Sequence, residues 1–335
     1  MLPLAEVIDA LAGETRFSGV VAVDRGGEIQ FAGAYGYAHR AHNVPNTVDT
    51  MFAIASGTKG LTALTIVSLI EDGALRLSTT ARSVLGRDLP LIDDAVTVED
   101  LLAHRSGIGD YFDEEAGHEI TEHVLPVSMH ELATTEQYLA VLDGLPTKFA
   151  PGARFSYCNG GYVVLALIAE RIGGAPFHEL VRQHVSGPAG MRDTGFLRAD
   201  ELPARAAVGY LPLEGVSRTN VFHVPVRGNG DGGIYSTVAD IRLFWRSLLA
   251  GRIVSADWVG EMVRPRSDVT THSMRYGLGF WLHRSNDTVM LEGYDAGVSF
   301  RTVHDPGADA THTVMSNSSH GAWSITRRLD ELLAA

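Results

Sequence analysis

From Gly60 to Glu71 apolar and small side chains take almost every position, so hydrophobicity runs round the whole circumference of a helix instead of down one stripe. The pattern predicts a buried helix over residues 60–72, stopped by Gly73. Gly160 to Ile172 repeats it and is closed by Gly173-Gly174. Elsewhere the period changes. Gly19–Val23 and Gly27–Tyr37 alternate as strands, and Asp24-Arg25-Gly26-Gly27 between them completes an expected hairpin. Four more strand patterns come late in the chain, at Gly277–His283, Thr288–Leu291, Val298–His304 and His312–Met315. Helices are expected at residues 5–12 and Thr237–Leu249, and an amphipathic one at Ala322–Leu333.

Strands at both ends around a helical middle imply a sheet assembled from the N-terminal and C-terminal segments. The expected division is a sheet lobe from residues 1–55 and 205–335 with a helical lobe from 56–204, in one catalytic domain. Residues 113–136 are acidic and carry His118, His123 and His130, which suggests a mobile surface insertion or lid beside a cleft. No fixed-period repeat or low-complexity linker interrupts the 335 residues.

Composition narrows the chemistry. A formal net charge of -13 argues against nucleic acid or an anionic membrane as partner. Cys158 is the only cysteine, and no stretch reaches about 18 uninterrupted apolar residues. The N-terminus shows no basic leader, so a cytoplasmic protein is the expectation. Lysine stands only at Lys59 and Lys148 among the 27 Lys plus Arg, so the other 25 are arginine. Arginine cannot give up its proton in a protein and a buried lysine can, so a retained lysine suggests a titratable amine.

Lys59 lies three residues after Ser56, at the start of the first buried helix. Residues three apart share a helix face, so the ammonium can reach the serine hydroxyl, and the helix N-terminus favours negative charge there. Tyr157-Cys158-Asn159 precedes the second buried helix. A tyrosine near a deprotonable lysine can shuttle protons, and Asn159 can hold the lysine or a substrate carbonyl. Read alone, the same residues serve equally as a core aromatic and a helix N-cap. The segment Glu292 to Phe300 bears glycines ahead of a strand: either an ordinary turn or an edge that brings a backbone N–H to the serine as part of an oxyanion hole.

Taken in order, Ser56-x-x-Lys59, Tyr157-x-Asn159 and Tyr294 to Gly297 resemble the serine hydrolases of the class C β-lactamase, DD-peptidase and esterase superfamily. Spacer segments agree, among them Leu101-Leu102-Ala103-His104-Arg105-Ser106-Gly107-Ile108, Phe149-Ala150-Pro151-Gly152, Gly187-Pro188-Ala189-Gly190-Met191 and Asp231-Gly232-Gly233. The resemblance implies an α/β fold of the α+β kind, a β-lactamase/transpeptidase-like antiparallel sheet flanked by helices with an all-helical lobe beside it. It also implies Ser56 as the acylated nucleophile, Lys59 and Tyr157 as the proton-transfer pair, and an oxyanion hole from the N–H groups of Ser56 and a residue near Gly297. It requires no cofactor and no metal. Asn159, Tyr294, Asp295 and Gly297 would contact substrate.

One departure bears on specificity. Where such β-lactamases and peptidases carry Lys-Thr-Gly, or histidine in place of that lysine, Tyr294-Asp295-Ala296-Gly297 aligns here. The cation for a substrate carboxylate is missing, and Asp295 adds negative charge. An ester, an amide without a free carboxylate, or a cationic substrate fits better, so the expectation is an acyl-enzyme esterase or peptidase-like hydrolase with at most weak β-lactamase activity. Acyl transfer, D-amino-acid or DD-peptidase activity and a catalytically silent ligand-binding scaffold are the alternatives. The oligomeric state is not readable.

Other motifs weigh less. Gly228-x-Gly230-x-x-Gly233 matches a dinucleotide fingerprint only literally, without the flanking strand–helix–strand context. The three histidines of the insertion lack metal-site spacing. His104 reads as a structural residue and Cys158 as a small buried side chain.

Overall fold

A computed structural model describes residues 3–117, 120–122, 124–211 and 217–333. Its centre is an eight-stranded antiparallel sheet. We label the strands β1 (Gly19–Arg25), β2 (Glu28–Tyr35), β3 (Ser267–Val269), β4 (Met274–Tyr276), β5 (Trp281–His283), β6 (Val289–Asp295), β7 (Val298–Asp305) and β8 (Ala310–Ser316). Their order is β2-β1-β8-β7-β6-β5-β4-β3, so the N-terminal hairpin docks on the last strand, with Gly19 opposite Ser316.

Both faces of the sheet are covered, which is why β1 is apolar at successive positions. Val21 and Val23 point to one face with Val314, under Ile8 and Ala12 of the Leu4–Thr15 helix and Ile325 and Leu329 of the Ala322–Leu333 helix. Val20 and Ala22 point to the other, into a larger core with Met315, Phe300, Leu61, Leu64 and Phe244. That core continues into the helices of the middle segment, including Val163, Leu167 and Leu180. Trp245 of the Val238–Leu249 helix fastens it to the sheet by donating its indole N–H to Thr302 Oγ1 at 2.9 Å. No described helix is long and apolar enough to cross a membrane.

Several boundaries differ from the sequence reading. The buried helix runs Thr58–Glu71, preceded by a 3-10 turn, Ala55–Gly57, that holds Ser56. The strand expected at Gly277–His283 is confined to Trp281–His283, β5, because residues 277–280 turn the chain back from β4: Gly277 N–H bonds Phe280 O and Gly279 adopts φ 85. The strand expected at Thr288–Leu291 extends to Asp295, since Gly293 continues the ladder opposite Phe300 instead of breaking it.

Candidate active site

Ser56 is held by a short ladder and a strained residue. Phe52–Ala53 pairs with Tyr235–Ser236, and Ile54 N–H then bonds Ile234 O at 2.8 Å. Ala55 takes the left-handed conformation, φ 44, which turns the chain sharply into the serine. The helix that follows presses directly on the sheet: a Cβ at Gly60 would lie 2.5 Å from a Leu291 methyl.

One turn on, Lys59 is 2 % exposed. Its Nζ donates to Ser56 Oγ at 3.0 Å, to Asn159 Oδ1 at 2.8 Å and to Asp231 O at 2.6 Å. It lies 4.9 Å from the centre of the Tyr157 ring, and the Tyr157 hydroxyl hydrogen-bonds Ser56. Ser56, Lys59, Tyr157 and Asn159, about one hundred positions apart in two pairs, therefore meet at one point.

The Tyr157–Asn159 segment is fixed from behind. Cys158 N–H donates to His104 Nδ1 at 3.0 Å, and the His104 ring lies 4.2 Å from that of Tyr157. Burial pushes the His104 imidazole well below its ordinary value, so it is a neutral acceptor, as its structural assignment required. Cys158, not Asn159, caps the Asn159–Gly173 helix, its Sγ accepting from Gly161 N–H at 3.3 Å. Asp110 accepts from the N–H groups of Asn159 and Gly160 at 2.7 and 2.8 Å. Trp281 lies parallel to Tyr157, 10° between planes and 6.0 Å between centres.

The electrostatics separate the two proton-transfer candidates. Burial lowers the Lys59 ammonium below the ordinary lysine value, against the pull of Asp231, Glu114 and Asp110. Burial, reinforced by Glu114, raises the Tyr157 phenol well above its ordinary value, with the Ser56 hydrogen bond acting the other way. Asp231 is raised by burial and opposed by Lys59 and by a hydrogen bond from Tyr111. Burial also raises Asp110 and Asp295, each to about 7.

The glycine-bearing segment is both a turn and part of the cleft. Ala296-Gly297 link β6 to β7. Gly297's own N–H donates to Ser319 Oγ at 2.8 Å. Gly293 stands beside the serine: a Cβ there would lie 2.0 Å from Ile54 O and 3.0 Å from Gly57 N. Beyond Met290 that edge of β6 leaves β5 and runs along the Ala55–Gly57 turn. Tyr294 and Asp295 line a small cavity with Ser56, Asn159, Asp231 and Tyr111. Ser56 also lines a larger groove walled by Phe155, Tyr157, Met274 and Trp281.

The sequence reading passed over Asp110, Tyr111, Glu114 and Trp281, and took Asp231 only as part of a glycine turn. The dinucleotide-like glycines serve packing: Cβ atoms at Gly228 and Gly230 would each lie 2.2 Å from a carbonyl oxygen, of Gly232 and Tyr162. The tight turn they form delivers the Asp231 carbonyl to Lys59. From the acidic insertion, Glu114, Leu125 and Met129 line the smaller cavity. His118 and His123 lie outside the described residues, and His130 is exposed beside Glu131. Among the described residues no cluster of metal-ligating side chains occurs.

A serine, a lysine whose ammonium burial lowers, and a tyrosine thus meet beside an antiparallel sheet flanked by helices. The chain belongs to the Beta-lactamase family, whose model matches residues 4–335. It is 31% identical over 271 residues to the putative penicillin-binding protein PbpX of Bacillus subtilis (strain 168), covering 80% of this chain and 63% of that protein. It is 35% identical over 214 residues to esterase EstB of Burkholderia gladioli, covering 62% of this chain and 54% of that one. The chain thus spans between half and two thirds of the length of these two relatives. The crystal structure of a penicillin binding protein from Bacillus halodurans superposes with a TM-score of 0.91 at 33% identity, covering 97% of this chain and 99% of that one.

Proposed function

We propose that the protein hydrolyses small esters or amides through an acyl-enzyme on Ser56. The observation that carries this is the buried Lys59 amine, 3.0 Å from the serine oxygen and depressed by burial. Burial favours the neutral form of both groups: Lys59 as an amine whose lone pair can accept the Ser56 hydroxyl proton, and Tyr157 as a protonated phenol that can donate. Lys59 takes the serine proton as Oγ bonds to the carbonyl carbon, and Tyr157 relays a proton to the departing oxygen or nitrogen. The Ser56 N–H and the edge of β6 at Gly293–Tyr294 hold the oxyanion. Water then attacks the acyl carbon and the proton returns to Ser56. In this reading residues 1–55 and 205–335 form the sheet lobe, 56–204 the helical lobe, and the substrate lies between them.

The charge around Ser56 supports a substrate without a carboxylate. Glu114, Asp231 and Asp295 line the smaller cavity. Lys148 and Arg154 nearby are both paired with Glu115, at 2.9 and 2.8 Å. Intact-mass measurement after a fluorophosphonate probe tests the nucleophile: one adduct on the native protein and none on Ser56→Ala is the expected result. Equal labelling of both removes Ser56. A panel of p-nitrophenyl esters, a chromogenic cephalosporin and D-amino-acid amides then ranks the substrate classes.

A further inference from the structure

Ser56 stands at the junction of two cavities with different walls. In the tetrahedral adduct the oxyanion points to backbone N–H groups, and the acyl substituent and leaving group point to opposite sides. The leaving atom must lie on the side from which it receives its proton. Tyr157 walls the large groove and is not part of the smaller cavity. The groove wall is aromatic: Trp281 runs parallel to Tyr157, lies 6.1 Å from Phe155 and meets Tyr276 edge-on at 4.9 Å. Its arginine, Arg154, is forked onto Glu115 at 2.8 and 3.2 Å, and Glu292 faces Arg301 at 3.6 Å, while Glu114 and Asp268 add further carboxylates to the lining.

From this we infer that the groove is the leaving-group subsite and that Trp281 and Phe155 make it select aromatic alcohols and amines that carry no negative charge; the inference rests on Ser56 being the nucleophile. The Ser56 oxygen bonds to the acyl carbon, the bond from that carbon to the aromatic alkoxide breaks, and the alcohol departs with the proton that left Ser56. Run backwards on the acyl-enzyme, the same subsite seats an aromatic alcohol as acceptor: its oxygen attacks, the Ser56 ester bond breaks, and the proton returns to Oγ.

Esters whose alcohols are matched in acidity isolate the effect. For benzyl acetate over methyl acetate the kcat/KM ratio of the native protein is expected to be about tenfold or more, from burying the phenyl ring. Trp281→Ala should cut that ratio at least about fivefold and Trp281→Phe should keep most of it, while the ratio of methyl hexanoate to methyl acetate stays within about twofold. The ratios cancel any general damage to Tyr157. Benzyl alcohol added to a methyl ester should yield benzyl ester with saturation in the native protein and without it in Trp281→Ala. An unchanged benzyl preference in Trp281→Ala, or a loss appearing in the acyl series instead, overturns the assignment. The fluorophosphonate result on Ser56→Ala is independent of Trp281, so failure of the subsite and failure of the nucleophile are told apart.

Discussion

Replacing Lys59 by arginine separates charge from basicity. The guanidinium keeps a cation facing Ser56 Oγ, Asn159 Oδ1 and Asp231 O, the acceptors that Nζ now meets at 3.0, 2.8 and 2.6 Å. It cannot release a proton. A positioned base contributes about 10²–10⁴ in rate, so kcat/KM on p-nitrophenyl acetate should fall by that factor, about 2.7–5.4 kcal/mol on the barrier. Lys59→Met, of similar length and without charge, should fall as far. It leaves Asn159 Oδ1 and Asp231 O short of a donor, about 1–3 kcal/mol each, partly offset by removing a buried cation. A melting curve therefore accompanies each rate. Because only the neutral amine accepts a proton, acylation in the native protein should rise with pH through an ionisation below the ordinary lysine value, and both variants should lose that limb. Stopped-flow acylation across the pH range reads it. An arginine variant within about threefold of the native rate, with the limb intact, would show that positive charge suffices and that the base lies elsewhere.

Two further perturbations address the carboxylates and the strand edge. Burial holds Asp295 at about 7 against 3.8 for a free side chain, so between those values the unfolded chain sheds a proton that the folded one keeps, and stability declines as pH rises. Asp295→Asn should therefore raise Tm at pH 8 and leave it nearly unchanged at pH 3.5; equal shifts at both would refute the buried carboxylate. Gly293→Ala places a methyl 2.0 Å from Ile54 O, a backbone atom that cannot step aside, so β6 or the serine turn must move. A displacement of about 1 Å costs on the order of 10² in rate, and fluorophosphonate labelling of Ser56 should slow accordingly; labelling at the native rate would mean the edge is not part of the site.

The reacting groups were legible because their spacing is local. Three residues from Ser56 to Lys59 and two from Tyr157 to Asn159 are helix-scale separations, and each pair announces itself beside a buried helix. What holds them in place is not local. Asp110 reaches Asn159 N–H from 49 positions away, and Asp231 meets Lys59 across 172. No periodicity reports such contacts. The 292–300 segment was hard to read for a related reason: a glycine needed for close approach, Gly293, and one needed for a turn, Gly297 at φ 72, look alike in sequence.

The scarcity of lysine shows how far composition carries an argument. Both lysines are retained among 25 arginines, yet they behave oppositely. Lys148 is partly exposed; burial pulls its ammonium down, but hydrogen bonds to Asp113 and Glu115 outweigh it and the net shift is upward. At Lys59 the nearest oxygens are a hydroxyl, an amide and a peptide carbonyl, and the carboxylates act only through space. Neutral acceptors orient an amine without stabilising its charge as a directly bonded carboxylate would, so burial prevails and the amine is pushed toward the neutral form. Moving one carboxylate into contact with Nζ would convert the second situation into the first. The position of Asp231, with its main-chain oxygen on Lys59 and its side chain turned to Tyr111, is therefore the arrangement that leaves burial to prevail at the amine.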